Sequence, residues 1–444
     1  MIFNNKYFKF SIGLVVLQQI SLALSTWYIA KSGYYVISSK FEEVKVYLIL
    51  FFIFAILGYV VSSFVSILTI KSKNLSWKNY TKSTVDIISQ NINLSSNDNI
   101  KKTISWVNSE APSTLGNATN FYIQFTSIIL NIIFTFFVFY ITLGAIISSV
   151  LLSALIISIV LVFLLRKKVK DSSSTLQERN LAILTYIEPF IHKNYFGNKI
   201  MKNSSENELD HKMNSYFSTI IRYSYLEKLI ACTPILIGVF AIVAYLFITP
   251  VNELIVFLGA IVAVLPRTLQ LFGNVHALSL YSTQYIMISV KLKKMSNFVK
   301  ELKSYPIKDN LDFSLITIFK DNIKINPLVF FEEVERSNLN NGRYIICGDN
   351  GSGKSTFLKY IKSLNKDAIL LSPNTLFSEN VESLSTGIFH IRQIHEILEH
   401  DPQTLLLDEW DANLDKNNVE VLDEIIKERS VNRVVIEVRH KFHI

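Results

Sequence analysis

Charge, cysteine and glycine are all scarce in this chain. Only 18% of its 444 residues are Asp, Glu, Lys or Arg, against about 25% in ordinary soluble domains. The deficit lies before residue 295, where long apolar runs recur, while the last 150 residues have a soluble composition. This excludes one water-soluble globule and divides the chain into a membrane part and a part outside it. Two cysteines, Cys232 and Cys347, exclude a disulfide framework and a cysteine metal site. Each reads as a small buried hydrophobe. The net charge of +8 points to basic loops facing anionic lipid, not to nucleic-acid binding. Low glycine and proline, with abundant Asn, Ile and Lys, suit a compositionally biased bacterial genome. Of the 14 glycines, three fall within a single octet.

That octet is Gly348-Asp349-Asn350-Gly351-Ser352-Gly353-Lys354-Ser355, followed by Thr356. It fits the pattern G-x-x-x-x-G-K-[ST]. Glycines let a loop wrap so that successive backbone N–H groups point at one anion. Lys354 is placed to reach the β- and γ-phosphates of a nucleotide, and the Ser355 hydroxyl to ligate Mg²⁺. Tyr344-Ile345-Ile346-Cys347 before it reads as a buried strand, and Phe357-Leu358-Lys359-Tyr360-Ile361 after it as the start of a helix. Strand, loop and helix is the context the motif needs, since the helix N-terminus adds partial positive charge. The alternative is a chance glycine turn.

A membrane span needs about 20 apolar residues. Six runs qualify, at 8–30, 46–70, 119–141, 144–165, 227–249 and 253–275. The third and fourth are joined by a tight turn at Thr142-Leu143-Gly144, and the fifth and sixth at Pro250-Val251-Asn252. The first run is too long for a secretory signal and lacks a small-residue cleavage site, so a retained span is expected. Lys71 and Lys73, Arg166 to Lys170, and Lys291 to Lys294 follow the second, fourth and sixth runs, while the tight turns carry no Lys or Arg. This bias puts the N-terminus, both long loops and the C-terminal domain in the cytoplasm. The loops at 71–118 and 166–226 carry apolar residues at helical spacing, among them Val85, Ile88 and Ile92, and Ile183, Ile187 and Phe190. The spacing predicts that the spanning helices continue as long arms, turn and return. Separate amphipathic surface loops are the alternative. Arg267, inside the sixth run, either faces a cavity with Gln18, Gln19, Gln270, Asn274 and His276, or snorkels to the interface.

Thr404-Leu405-Leu406-Leu407-Asp408-Glu409 reads as an apolar strand ending in two acids. Beside the glycine loop, Asp408 would hold Mg²⁺ and Glu409 would polarise the attacking water; such hydrolysis depends on positioning and charge neutralisation. With these residues the layout resembles an ABC exporter half-transporter, a six-span domain followed by a nucleotide-binding domain. The resemblance covers nearly the whole chain. Leu384-Ser385-Thr386-Gly387-Ile388 is similar to the family's signature motif L-S-G-G-Q, and Ala412-Asn413-Leu414-Asp415 to the loop that crosses the dimer interface. His440 stands where the family has its switch histidine; a surface histidine is the alternative. The spacings agree, 23 residues from Ser385 to Asp408 and 32 from Asp408 to His440.

The resemblance implies a membrane all-α domain of six helices over 1–300, with long cytoplasmic extensions, and a compact α/β P-loop NTPase domain over 310–444. It implies a homodimer in which two ATP molecules with Mg²⁺ are sandwiched head to tail. Ser385 and Gly387 of one chain would contact the γ-phosphate held by Lys354 of the other, and His440 would sense it. Glu409 and His440 are then the catalytic residues. The implied activity is ATP-driven export across a bacterial cytoplasmic membrane of an unidentified substrate, a peptide or other amphipathic molecule. An ATP-binding switch or immunity protein without transport, and a lipid flippase in which Arg267 meets a phosphate head group, are the other readings.

The chain departs from the family at several points, among them Thr386 in place of a signature glycine and Ile388 in place of its glutamine. Only 18 residues separate Lys354 from Ser372, which takes the place of the usual glutamine. Seven residues separate Phe377 from Leu384, where the family inserts a helical subdomain. No adenine-stacking aromatic stands at the usual distance, with Phe319, Phe330 and Phe331 as substitutes. The shortening predicts that the arm tips, near 95–103 and 196–204, dock directly on the compact core.

Overall fold

The computed structural model describes residues 2–248, 251–307, 311, 313–321, 323–336, 338–372, 375, 377, 386–412 and 414–439. The chain is mostly helical, with a mixed α/β sheet domain at its C-terminal end. Contacts divide it into two units. One comprises Met1–Tyr80 and Ser109–Ser296, the other Thr81–Asn108 and Asn297–Ile444.

The first unit is built from long helices. Helix α1 spans Lys6–Ile37, capped by the Asn5 side chain, which accepts from the Tyr7 N–H. Helix α2 runs unbroken over Phe41–Ser89. The short α3, Asn97–Ser105, leads through a π-turn at Trp106–Glu110 into α4, Ala111–Phe196. Helix α4 is interrupted at Gly144, whose φ of 81° and ψ of 173° are not helical. Helices α5, Lys199–Ile248, and α6, Val251–Glu301, complete the series. The helices therefore continue past the apolar runs as arms: α2 reaches Ser89, and α4 and α5 are separated only by Gly197 and Asn198.

Among the described residues, three stretches are long and apolar enough to cross a membrane, Lys6–Ile37, Phe41–Ser89 and Asn97–Thr142. Only 17% of the apolar window of α2 is buried within the protein. Phe52, Ile56, Phe64 and Ile67 stand exposed along it. An unbroken apolar helix surface of this kind needs hydrocarbon as its solvent, so the chain is membrane-associated. Polar side chains tie the helices together. Gln19 on α1 donates to Ser127 on α4 at 2.9 Å, and Tyr80 on α2 donates to the Met295 carbonyl on α6 at 3.1 Å.

The second unit carries a six-stranded sheet. Its strands are β1, Thr317–Lys320, β2, Ile323–Ile325, β3, Gly342–Cys347, β4, Ile369–Leu371, β5, Thr404–Asp408, and β6, Val434–Val438. The order is β2-β1-β3-β6-β5-β4, antiparallel at β2-β1-β3 and parallel from β3 to β4. Helix α7, Pro327–Glu335, starts at the Asn326 cap with proline in its first turn, where no N–H is required. Helices α8, Lys354–Leu364, α9, Thr386–Glu399, and α10, Lys416–Ser430, follow β3, β4 and β5 in turn. The β5 and β6 strands are buried throughout, as parallel strands covered on both faces must be. On one face Phe330, Ile346, Phe357, Leu358 and Ile436 form a core, and on the other Leu405, Leu407, Ile394, Trp410 and Ile426 do so. Each such side chain contributes about 1.5–3 kcal/mol by leaving water.

The first arm tip belongs to this unit. Asn99 is buried and donates to the Leu94 carbonyl at 3.1 Å and to the Lys303 carbonyl at 2.8 Å. Asn93 accepts from the Ile307 N–H, and its own carbonyl accepts from the Tyr305 N–H. Leu94 packs with Phe298 and Leu302, and Trp106 stacks on Phe298 with ring centroids 4.8 Å apart. The second tip, at 196–204, lies in the first unit.

Candidate functional site

The glycine octet occupies the turn from β3 into α8. Gly353 is the N-cap of α8 with φ of 90°, and Gly351 has φ of 84°. L-residues rarely adopt this backbone. With glycine as the cap, no side chain accepts from the first-turn N–H groups, so they remain available to an anion. At Gly348 the demand is space: an added Cβ would meet the Leu315 carbonyl oxygen at 2.6 Å and Ser352 Oγ at 2.7 Å. The Ser352 hydroxyl is itself buried without a partner among the described residues.

Lys354 is buried at the start of α8. Its Nζ donates to the carbonyls of Gly348 at 2.7 Å and Asp349 at 2.9 Å. Among the described residues no carboxylate forms an ion pair with it. Its direct partners are neutral carbonyls, and a buried ammonium without an ion-paired carboxylate favours the approach of an anion. Asp349, Asn350 and Thr356 lie in the same turn and first helical turn.

The next residue brings the second half of the site into contact. Ser355 Oγ donates to Asp408 Oδ1 at 2.9 Å, across 53 residues of sequence. The sheet order explains the meeting. Strand β6 lies between β3 and β5, in register with both, and the glycine loop and Asp408 emerge at the same C-terminal edge of the parallel strands. Ligands of open α/β sheets bind at that edge. The two oxygens also fit Mg²⁺, since neighbouring ligands on an octahedron with bonds of about 2.1 Å stand about 3 Å apart. Burial pushes the Asp408 carboxyl up from its ordinary value; the Ser355 hydrogen bond opposes the shift, Glu409 adds to it, and Lys359 and Lys354 oppose it.

Glu409 follows directly and is half-buried. Its φ of 47° is left-handed, unusual for a residue with a Cβ. Its N–H donates to the Val438 carbonyl at 2.8 Å, which fixes the backbone in that state. Strain of this kind costs about 1–3 kcal/mol and tends to sit at functional positions. Cys347, at the end of β3, is half-buried, with burial raising its thiol, and Cys232 on α5 is exposed, so neither is the fully buried hydrophobe its sequence context suggests.

The remaining expected residues are placed less completely. Gly387 lies in the first turn of α9. Ser385 and His440 lie outside the described residues. Asp415 caps α10, accepting from the Asn418 N–H at 2.8 Å. The Ser372 hydroxyl lies 2.7 Å from that of Thr375, whose carbonyl accepts from the buried Gln393 at 2.9 Å. Of the proposed adenine-stacking residues, Phe330 is buried in the core and has no free face. Phe331 is stacked on Tyr360, with centroids 5.4 Å apart.

Two features escaped sequence reasoning. Glu437, fully buried on β6, accepts from Arg343 Nε at 2.8 Å, Arg439 Nε at 3.2 Å and Trp410 Nε1 at 2.9 Å. Arg343 and Arg439 also pair with Asp423 on α10. Burial raises the Glu437 carboxyl against the opposing pull of Arg343, and burial lowers Arg439 to about 10. This network braces β6 against the segment just after Glu409. A lone acid inside Val434-Val435-Ile436-Glu437-Val438 was the available signal, because a buried charge demands partners. The second feature is Lys359 on α8, whose Nζ donates to the Ser95 carbonyl at 3.4 Å and so ties the arm tip to the helix of the glycine loop.

Comparison with protein-family models finds no match, and comparison with curated proteins finds none either. The functional assignment rests on the geometry of the site.

Proposed function

We propose that the chain is an ATP-hydrolysing exporter subunit: six spans in a bacterial cytoplasmic membrane, an NTPase domain over 310–444 on the cytoplasmic side, and a second copy of itself as partner. The observation that carries the reading is the buried Lys354, with no ion-paired carboxylate among the described residues, at the start of a helix whose N-terminus has no side-chain cap and beside the Ser355–Asp408 pair. A triphosphate would supply the missing negative charge, and Mg²⁺ would neutralise charge as it develops on the phosphates.

The residues divide the work. Backbone N–H groups of residues 348–356 cradle the phosphates, Lys354 holds the terminal ones, and Ser355 and Asp408 hold the metal. Glu409 orients and polarises the attacking water. Ser385, and Gly387 in the first turn of α9, contact the terminal phosphate of the partner copy, and His440 senses it. The arm tip at 92–108 carries the change toward the membrane helices, because it is bonded to the helix that starts at the phosphate loop. The cargo is a peptide or other amphipathic molecule.

ATP hydrolysis by the purified protein in proteoliposomes tests the reading. The wild type is expected to hydrolyse ATP, and Glu409→Gln to bind it while hydrolysis falls to background. Equal rates in the two proteins would remove the export reading and leave a nucleotide-binding switch.

A further inference from the structure

Within the first unit, a cavity of about 280 Å³ lies among α1, α2, α4 and α6. Its polar wall is organised. Asn274 donates to Asn131 Oδ1 at 2.6 Å, Asn131 donates to Gln19 Oε1 at 2.6 Å, and Gln19 donates to Ser127. These four side chains on three helices satisfy one another, so the wall is rigid. Leu22 and Ile128 add apolar surface.

Arg267 lines the same cavity and is not satisfied. Its Nη1 donates to Gln270 Oε1. Its Nε and Nη2 are buried and have no hydrogen-bond partner among the described residues. Among the described residues no carboxylate lines the cavity or pairs with Arg267. The free pair of nitrogens is informative. Nε–H and the adjacent Nη2–H form the side-on edge of the guanidinium, whose two parallel donors match the two oxygens of a carboxylate or phosphate. A buried cation with that edge unfilled, inside an apolar helical unit, is costly unless an anion completes it.

We propose that this cavity is a binding site for the oxyanion head group, carboxylate or phosphate, of an otherwise apolar ligand. Arg267 makes the bidentate contact, Gln270 orients the guanidinium, and the Gln19–Asn131–Asn274 chain excludes alternative conformers of the wall. At about 280 Å³ the cavity takes a head group and a short piece of chain rather than a whole drug-sized molecule. The site does not depend on the nucleotide reading. If that reading also holds, the site describes the chemical class of the cargo.

The test is equilibrium binding to the full-length protein in an uncharged detergent, without nucleotide. The probes are fluorescent short-chain alkyl compounds differing only in the head group: carboxylate, phosphate or neutral amide. The wild type is expected to bind at least one oxyanion probe about tenfold more tightly than the amide, the usual effect of a charge-assisted pair. The preferred oxyanion identifies the head group. Arg267→Gln should abolish the preference, and Arg267→Lys should retain part of it, because charge remains while the fork is lost. Equal affinity of all probes for the wild type would overturn the proposal, and that comparison needs no variant to fold. A preference that survives in a folded Arg267→Gln would also overturn it. Failure of ATP hydrolysis alongside a preserved probe preference would remove only the export reading.

Discussion

Glu409, the proposed water-polarising residue, carries a conformational cost. Its left-handed backbone is disfavoured for any residue with a Cβ, and glycine at that position relieves the strain. Glu409→Gly is therefore expected to stabilise the nucleotide-free protein by about 1 kcal/mol or more, read as a higher unfolding temperature, while hydrolysis disappears. A lower unfolding temperature would mean that the side chain has a structural contact outweighing the strain. Asp408 makes a pH-dependent prediction. Its carboxyl is raised chiefly by burial, so in the nucleotide-free fold it contributes stability at low pH, below its unfolded value. That contribution is lost as pH rises through the raised folded value. Mg²⁺ needs the ionised form and acts in the opposite direction. Mg²⁺-dependent nucleotide binding should weaken on acidification, starting at a higher pH than an ordinary aspartate would give. Lys359→Gln removes a positive charge that lowers Asp408, so the midpoint should move to still higher pH in a titration of fluorescent nucleotide binding. An unchanged midpoint would place Lys359 outside the electrostatics of the site.

Helix α8 has two attachments that matter. Its first residues hold the glycine loop, and five residues after Lys354 the Lys359 side chain bonds to the arm tip. The tip is held by backbone carbonyls meeting asparagine side chains, not by an inserted helical subdomain. Asn99→Ala leaves the Leu94 and Lys303 carbonyls without their donor, at about 1–3 kcal/mol for each buried group left unpaired. Amide hydrogen exchange should accelerate over residues 92–107 and 302–307, with the sheet core unchanged. Exchange unchanged at the tip would mean that the apolar contacts of Leu94 and the Trp106–Phe298 stack suffice. The helical elements were legible in advance. The apolar spacing of Val85, Ile88 and Ile92 and of Ile183 and Ile187 predicted arms, and α2, α4 and α5 extend as that spacing requires. The asparagine anchors were not legible, since Asn93 and Asn99 sit in a polar stretch that reads as a loop until residues 302–307 are brought beside it.

The division of the whole chain follows contacts rather than sequence order. Residues 81–108 leave the long-helix part and join the C-terminal unit, where Ile92 packs against the sheet core. A fragment of residues 297–444 alone exposes that apolar surface. It is expected to bind a hydrophobic dye and to unfold at a lower temperature than the same fragment supplemented with a peptide covering 88–108. Calorimetry of the two samples checks this, and identical unfolding would show that the tip is a passenger. The apolar runs, by contrast, announce their solvent directly. The exposed Phe52, Ile56 and Phe64 of α2 are stable only against hydrocarbon.

The linear order of residues was enough to mark apolar stretches long enough to cross a membrane, to separate helix from glycine turn, and to propose Lys354, Ser355, Asp408 and Glu409 as a set. Those properties are local, because periodicity, capping and loop chemistry act within a turn or two of chain. The pairing of Ser355 with Asp408 across 53 residues, and of Asn99 with Lys303 across 204, arose only when β6 entered between β3 and β5 and the arm folded back. So did the unfilled edge of Arg267, which is defined by what its neighbours do not supply. Long-range pairings are selected by complementary packing that must outweigh loop-closure entropy. They leave no periodic mark on the residues that form them.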